Sequence, residues 1–461
     1  MLITSFIVVT LAIVATALYF CLRLRFFITT TAMLIGSLLF IYGPAYLSYI
    51  LSNGEYYQHV LGVMPLSSSA FSTVREKVPN IDAVIIAMNF SLALMYASLI
   101  AGVEAVNRFA RPRAAATEVA LAEWNSQALR CDRADDGLLC IIVFSLMFFM
   151  LYFSVSEGHL STIASYFSNT TDNEARNALR LQFAGSPSYL YRLILTSVAP
   201  MFVIWGLLSG RASGGRTLLV AAVLLLVVTV VGKIETLSKA PPAFFTVQLM
   251  IAALLTVTNR ISIKTALLGA LAVFLVIYAT TTMVMILPSP LHAAYSRVFE
   301  AETQALLENF AVFPQIHPHM LGMNIRPIAA IAGMPYIPAY RIVARTWYAD
   351  SDTTIPSLFI ADAWADFGFL GVIVLSAIAG IVSRAIDLIF LSRGKSIVAV
   401  VVLAASFVGV VTLLTTALGT ALLSGGLLLA PILVFTLKIA SLYVSKGLAM
   451  ARTIAGPRTS S

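Results

Sequence analysis

The chain has 461 residues, of which 59% are hydrophobic and only 11% are charged, and its formal net charge is +8. A soluble domain carries about 25% charged residues, so the composition excludes a soluble protein. Apolar runs of roughly 20 residues, the length of a membrane-crossing helix, recur along the whole chain. The alternating ten-residue strands of an outer-membrane barrel are absent. We therefore predict an all-α polytopic membrane protein that forms a single integral-membrane domain over residues 1–461.

Eleven apolar segments have the length and composition of transmembrane helices. In chain order they are residues 2–22, 26–50, 82–106, 137–156, 189–209, 217–232, 242–257, 265–287, 358–382, 396–418 and 422–445. The first segment lacks a basic start and an A-x-A site, so we expect it to be a retained helix rather than a cleaved signal peptide.

The basic residues predict the orientation of these helices. Seventeen lysines and arginines lie in one set of loops and eleven in the opposite set, and the richer set is cytoplasmic by the positive-inside rule. The N-terminus is then external and the C-terminus cytoplasmic. The positive charge suits an anionic inner leaflet and gives no indication of nucleic-acid binding.

Two of the predicted loops stand out by their length. The cytoplasmic loop 107–136 is rich in Arg and Ala and is predicted to form a surface helix. The external loop 288–357 has about 70 residues, and loops of that length are usually functional. Its segment VFEAETQALLENFAVF has helical spacing, so we expect this loop to pack as short helices that cap the external face.

The sequence contains no Walker loop, Rossmann glycine pattern, HExxH or CxxC motif. We therefore expect no nucleotide, metal or other cofactor. The candidate chemistry consists of ionisable groups on the external side.

Several external cations are candidate ligands of a phosphate. Lys233 and Lys239 flank a short loop and form either a phosphate-binding edge or a solvated turn with snorkelling lysines. Arg297 suits bidentate recognition of a diphosphate, although it has the i,i+3 spacing to pair with Glu300 on one helix face. Arg192 comes from the same side.

The segment FPQIHPHMLGMN (313–324) holds two histidines separated by Pro318. Two imidazoles with no nearby cysteine make a poor metal site, so His317 is interpreted as a general base, a hydroxyl partner or a structural loop residue. Further along, Arg341 and Arg345 accompany Trp347 and Tyr348. Aromatic rings beside cations suit sugar stacking and equally suit an interfacial belt.

Asp362 and Asp366 lie about one helical turn apart near the external end of the ninth span. Carboxylates in a membrane helix face protein or a wet cavity rather than lipid. We expect them to join a charged external pocket in which Asp362 holds an arginine or binds sugar hydroxyls and Asp366 caps the FGFLG turn (367–371). The alternative is a buried structural pair.

These motifs resemble a known family when they are taken in order. The loop with HPH (317–319), then Thr354-Ile355-Pro356, then ADAWADFGFLG (361–371) is similar to the C-terminal half of bacterial oligosaccharide repeat-unit polymerases, the Wzy family. Gly232-Lys233 after an internal span is similar too. The likeness covers roughly residues 230–385, and the first half of the chain matches in topology alone.

The resemblance implies a GT-C-type glycosyltransferase of the bacterial inner membrane with a large periplasmic loop. Its substrate is an undecaprenyl-pyrophosphate-linked oligosaccharide, and its expected partners are membrane lipid, a chain-length regulator and a flippase. A lipid pyrophosphate leaves without a protonating acid, so cations to stabilise it and one base are required. The candidate cations are Arg192, Lys233, Lys239, Arg297, Arg341 and Arg345, and the candidate bases are His317, Glu300 and Asp362.

Two other functions share parts of this pattern. An O-antigen ligase has similar topology and external arginines. A lipid-linked-oligosaccharide flippase or other transporter is expected to place its ionisable residues at mid-membrane and to have short loops, whereas here they gather on one side.

Overall fold

The computed structural model describes residues 1–53, 70–131, 136–156, 188–235, 240–262, 299–348 and 357–454, with isolated positions at 264, 268, 271 and 275. The described residues fold into helices without a named strand. In chain order these are α1 (Leu2–Tyr19), α2 (Thr30–Tyr42), α3 (Pro44–Leu51), α4 (Ala70–Lys77), α5 (Ile81–Phe109), α6 (Arg111–Ala122), α7 (Asp136–Ser156), α8 (Tyr189–Leu193), α9 (Ala199–Ser213), α10 (Arg216–Glu235), α11 (Ala240–Val257), α12 (Ala301–Val312), α13 (Arg326–Ile331), α14 (Ala339–Tyr348), α15 (Phe359–Leu391), α16 (Ile397–Thr415), α17 (Leu418–Leu422) and α18 (Leu429–Ile454).

Nine helical segments within the described residues are long and apolar enough to cross a membrane. They are Leu2–Leu24, Thr30–Leu51, Ile81–Phe109, Asp136–Ser156, Tyr189–Ser213, Arg216–Ile234, Ala240–Val257, Phe359–Leu391 and Ile397–Thr415. Each coincides with a predicted span, so the prediction of an all-α multi-pass membrane protein is confirmed. The predicted span 422–445 overlaps α18, whose apolar part, Leu429–Ser441, is shorter. The predicted span 265–287 lies outside the described segments.

Two shorter predictions are also confirmed, and one needs a correction. The loop 107–136 contains the helix α6, and the segment with helical spacing in loop 288–357 forms α12. The predicted span 26–50 is not one continuous helix, because it breaks at Gly43, before Pro44. A proline lacks the N–H that continues a helix, so the break follows from the sequence.

The described residues group into two compact units. The first contains residues 1–118, 260–392 and 409–422, and the second contains 119–259, 393–408 and 423–461. The single domain predicted over 1–461 stays a prediction.

The first unit is centred on the packing of α5 against α15. A Cβ added to Gly102 would lie 2.3 Å from the carbonyl oxygen of Ala377, and one added to Gly380 would lie 2.2 Å from that of Leu99. The two helix backbones therefore touch at a reciprocal pair of glycines, as small residues allow in membranes.

The segments predicted to be cytoplasmic meet at one end of this unit. Arg23 lies 3.9 Å from both Glu104 and Glu118, and the guanidinium of Arg384 donates to Asn107 at 2.7 Å. The carboxylate of Asp387 accepts from the backbone N–H groups of Thr30 and Thr31 at the start of α2. It thereby satisfies two donors that a helix N-terminus leaves free.

The second unit is built around α7, α9 and α10. Gly206 of α9 allows a close approach to Ala222 of α10, where an added Cβ would lie 2.8 Å from the alanine Cβ. Outside these helices, the buried indole N–H of Trp124 donates to the carbonyl of Leu255 at 2.9 Å. An indole that is buried with its N–H bonded is a stable anchor for the segment that follows α6.

Candidate functional site

The helix α15 bends sharply at Gly368, which has φ 58° and ψ −141°. L-residues avoid this conformation, and glycine adopts it readily. A Cβ added to Gly371 would lie only 2.2 Å from the carbonyl oxygen of Ala363, so the chain after the bend packs directly on the segment before it. The turn predicted at FGFLG is therefore present. Asp362 and Asp366 stand on a short helical segment ahead of the long part of α15.

The carboxylate of Asp366 binds the loop that follows the two histidines. Its Oδ1 accepts from the N–H groups of Gly322 at 3.0 Å and Asn324 at 3.3 Å. The prediction that Asp366 caps the FGFLG turn is wrong. The carboxylate instead caps the 321–324 turn. Its closer partner, Gly322, lies 44 residues before Asp366 in the chain.

Asp362 is oriented by an asparagine from the same loop. The side-chain amide of Asn324 donates to Asp362 at 2.7 Å, and its carbonyl accepts from the N–H of Ala339 at 2.9 Å. Asn324 therefore ties α14 to the carboxylate. Within the described residues neither aspartate forms an ion pair, so the arginine partner proposed for Asp362 is not present there.

The two histidines have different surroundings. His317 Nδ1 lies 2.8 Å from the carbonyl oxygen of Pro318, so that nitrogen is engaged within its own turn. The ring of His319 packs edge-on against Trp364 with the centroids 5.5 Å apart, and its Nδ1 is buried with no hydrogen-bond partner in the described part of the chain. His319 also lies beside the bend at Gly368. It is the histidine that the structure places against the aspartate-bearing segment.

A second group of polar side chains surrounds Glu308 on α12. Its Oε1 accepts from the amide of Gln304 at 2.9 Å and from the hydroxyl of Tyr348 at 2.8 Å. The indole N–H of Trp347 donates to the backbone carbonyl of Glu308 at 3.2 Å. We call these four residues the Glu308 cluster. Trp347 and Tyr348, for which the sequence left sugar stacking and an interfacial belt as alternatives, are both brought to it.

Burial changes the acidity of this cluster and of its neighbour on α12. It raises the pKa of Glu308, an effect that the hydrogen bonds from Gln304 and Tyr348 partly oppose. Burial and the nearby Glu308 hold the pKa of the Tyr348 hydroxyl well above its ordinary value. Burial also raises the pKa of Glu302 from 4.5 to about 8. Ten of the twelve residues of α12 are buried, so these carboxyls lie in protein rather than in solvent.

The predicted cations lie in several places. Arg341 and Arg345 are exposed on α14, one turn apart, while Val343 and Ala344 are buried. In the second unit Arg192 is exposed, and Lys233 is buried with its ammonium 5.5 Å from the centre of the Phe245 ring. Lys239 and Arg297 lie outside the described residues. Glu300, a candidate base, is half-buried in the turn that precedes α12.

Sequence reasoning missed Gln304, Glu308, His319 and Asn324 as contributors. The signal for Glu308 was its position four residues after Gln304 in an otherwise apolar helical pattern, which places both on one helix face. The described residues contain no group of three or more His, Cys, Asp or Glu side chains that could hold a metal ion.

The chain matches no protein-family model, and comparisons with curated proteins and with solved structures find no match. The arrangement of its own side chains is therefore the basis for a function.

Proposed function

We propose that the protein is a membrane glycosyltransferase that polymerises undecaprenyl-pyrophosphate-linked oligosaccharide repeat units at the periplasmic face of the bacterial inner membrane. The observation that carries this proposal is the link from Asp362 through Asn324 to α14, which leads directly to Trp347 and Tyr348. Carboxylates, amides and aromatic rings are the groups that bind sugar hydroxyls and pack on sugar rings. Here they are supplied by the loop predicted to be external and by the helix that follows it.

The proposed reaction transfers the growing glycan from its lipid carrier to the next repeat unit. A hydroxyl oxygen of the acceptor sugar attacks C1 of the donor sugar, and the C1–O bond to the pyrophosphate breaks with its electron pair leaving on the lipid pyrophosphate. The hydroxyl proton passes to a carboxylate or imidazole. Among the candidate bases we favour Asp362, since it is partly exposed and Asn324 holds it in one orientation.

Cations are needed where the leaving group gains charge. Preorganised positive groups lower the energy of such a transition state most strongly at a site of low dielectric constant. We assign this role to arginines of the predicted external loop, namely Arg297, Arg341 and Arg345. The exposed positions of Arg341 and Arg345 on α14 leave their guanidinium groups accessible to a diphosphate.

The orientation of the chain is part of the same proposal. The charge bias predicts that the loop 288–357 is external, with the N-terminus periplasmic and the C-terminus cytoplasmic. Within the first unit, the contact of Lys77 with Trp347 joins two loops that were predicted to share the external side. Fusions of a cytoplasm-active and a periplasm-active reporter after the C-terminus test the orientation.

A gel of the source cell's surface polysaccharide, with and without the gene, tests the function. A polymerase predicts that long chains disappear while a single repeat unit remains on its acceptor. Loss of every unit from the acceptor would contradict the proposal, and the lipid-linked pool then identifies the alternative. Polymer stranded outside the membrane indicates a ligase, and single units held inside indicate a flippase.

A further inference from the structure

The carboxyl group of Glu308 has an unused acceptor. Glu308 is only 3% exposed, and both of its hydrogen bonds go to Oε1. Among the described residues, its Oε2 is buried without a hydrogen-bond partner. Leaving a buried polar atom unbonded costs about 1–3 kcal/mol, and more when the group is charged. This oxygen therefore marks a place where a donor from outside the chain would be stabilising.

The side chain that covers this carboxyl can move. Tyr348 is 46% exposed, and it is the last residue of α14. Exposed side chains change rotamer within nanoseconds, so the phenol can leave Glu308 without disturbing the helix. Trp347, by contrast, is fixed by its bond to the Glu308 carbonyl and by Lys77, whose ammonium lies 5.2 Å from the centre of the ring. The cluster thus combines Trp347, held by two contacts, with the exposed side chain of Tyr348 as its cover.

The charges around the cluster indicate the chemical class of the ligand. The position left open on Glu308 is an acceptor, so it favours a ligand that donates hydrogen bonds. The ammonium of Lys77 already donates to the carbonyl of Thr346 at 2.9 Å. A phosphate or another anion would be repelled by the Glu308 carboxylate. An uncharged ligand that carries hydroxyl donors fits better.

We propose that the Glu308 cluster is a binding subsite for an uncharged sugar. Sugar hydroxyls donate to Glu308 in place of the Tyr348 hydroxyl, and the ring of Tyr348 packs on the C–H face of the sugar. The inference deepens the proposed function and rests on it for the identity of the sugar, which is a residue of the glycan being extended.

Saccharide binding by the purified full-length protein in detergent tests the subsite. The probe is the oligosaccharide mixture obtained by partial acid hydrolysis of the source cell's own surface polysaccharide, titrated by saturation-transfer NMR. Glu308→Gln is expected to weaken binding about tenfold, because hydrogen bonds to a charged group are the strong ones. Tyr348→Ala is expected to weaken it similarly. Tyr348→Phe keeps the ring and removes the competing hydroxyl, so it is expected to bind at least as tightly as the wild type.

Tyr336→Phe is the matched control. Tyr336 is an exposed tyrosine of the same loop whose ring contacts Arg326, and it lies outside the cluster, so this variant is expected to bind like the wild type. If Glu308→Gln does not fold, the two Tyr348 variants decide, since that side chain is exposed.

The subsite is overturned if the wild type binds no oligosaccharide. It is overturned equally if Glu308→Gln and Tyr348→Ala bind like the wild type. Binding requires neither a lipid-linked donor nor turnover, so it separates this inference from the proposed reaction. If the deletion strain loses its long chains but the purified protein binds no saccharide, the subsite is refuted and the proposed reaction is not. If the variants bind in the expected order but the deletion strain keeps its long chains, the subsite is supported and the polymerase reaction is refuted.

Discussion

Gly368→Ala is expected to strain the bend that places Asp362 and Asp366 ahead of the long part of α15. The conformation at Gly368, φ 58° and ψ −141°, costs an L-residue about 1–3 kcal/mol. The added methyl group itself has room, because its nearest neighbour, Nε2 of His319, would lie 3.4 Å away. The loss is therefore backbone strain. It should lower the midpoint of thermal unfolding by about 1–3 °C, because an unfolding entropy of about 2 cal/mol/K per residue over 461 residues gives about 1 °C for each kcal/mol.

Three matched glycine variants separate strain from collision. Gly419→Ala should be neutral, since its Cβ meets nothing within 4 Å, and Gly333→Ala adds only the strain of a residue at φ 64°. Gly371→Ala should be the most damaging, because its Cβ would lie 2.2 Å from a backbone oxygen. The assay is thermal unfolding of the detergent-purified proteins, followed by intrinsic fluorescence. If Gly368→Ala were as stable as Gly419→Ala, the bend described for α15 would be refuted.

Four further predictions follow from other parts of the chain. Asn324→Ala removes the amide that orients Asp362 and should abolish long polymer on the gel while the protein stays inserted; normal polymer would exclude Asp362 as an oriented base. Arg297→Ala should also abolish polymer at normal protein abundance, and normal chains would remove Arg297 from the site. Glu302 binds its proton up to pH about 8 in the folded protein but only to about 4.5 when unfolded, so the stability of the wild type should fall as the pH rises between these values. Glu302→Gln should flatten that slope in unfolding scans, and an unchanged slope would contradict the assignment. Gly102→Val should prevent close packing of α5 on α15 and lower the yield of folded protein in size-exclusion chromatography, which Gly419→Val should not do.

Hydropathy predicted the membrane helices because their cause is local. A helix that crosses hydrocarbon needs about 20 apolar residues in succession, and that length is visible in any window of the sequence. The bend at Gly368 was visible for a similar reason, since two glycines flank Phe369 and Leu370 directly after a polar helical segment. The break at Gly43-Pro44 also had a local signal, the Gly-Pro pair itself. The prediction of one span over 26–50 gave more weight to the length of the apolar run.

The site was harder to predict because its contacts join distant parts of the chain. Asn324 reaches Asp362 across 38 residues, and Tyr348 reaches Glu308 across 40. Such pairs have no period that a sequence window can detect. Asp366 was assigned to the nearest turn for that reason, whereas its carboxylate binds a turn from the preceding loop. Residue type and loop length identified the region, and only the folded chain identified the partners.

The cap that Asp387 provides for α2 has a consequence for the timing of biogenesis. The carboxylate and the N–H of Thr30 are 357 residues apart in the chain. At a synthesis rate of about 5–20 residues per second, α2 waits about 20–70 s for its cap after it has left the ribosome. During that interval the start of α2 must be held by water, lipid headgroups or an insertion factor. A nascent chain that stops before α15 would therefore expose the uncapped start of α2 together with the glycine face of α5. Membrane quality control could recognise the unfinished protein by these two features.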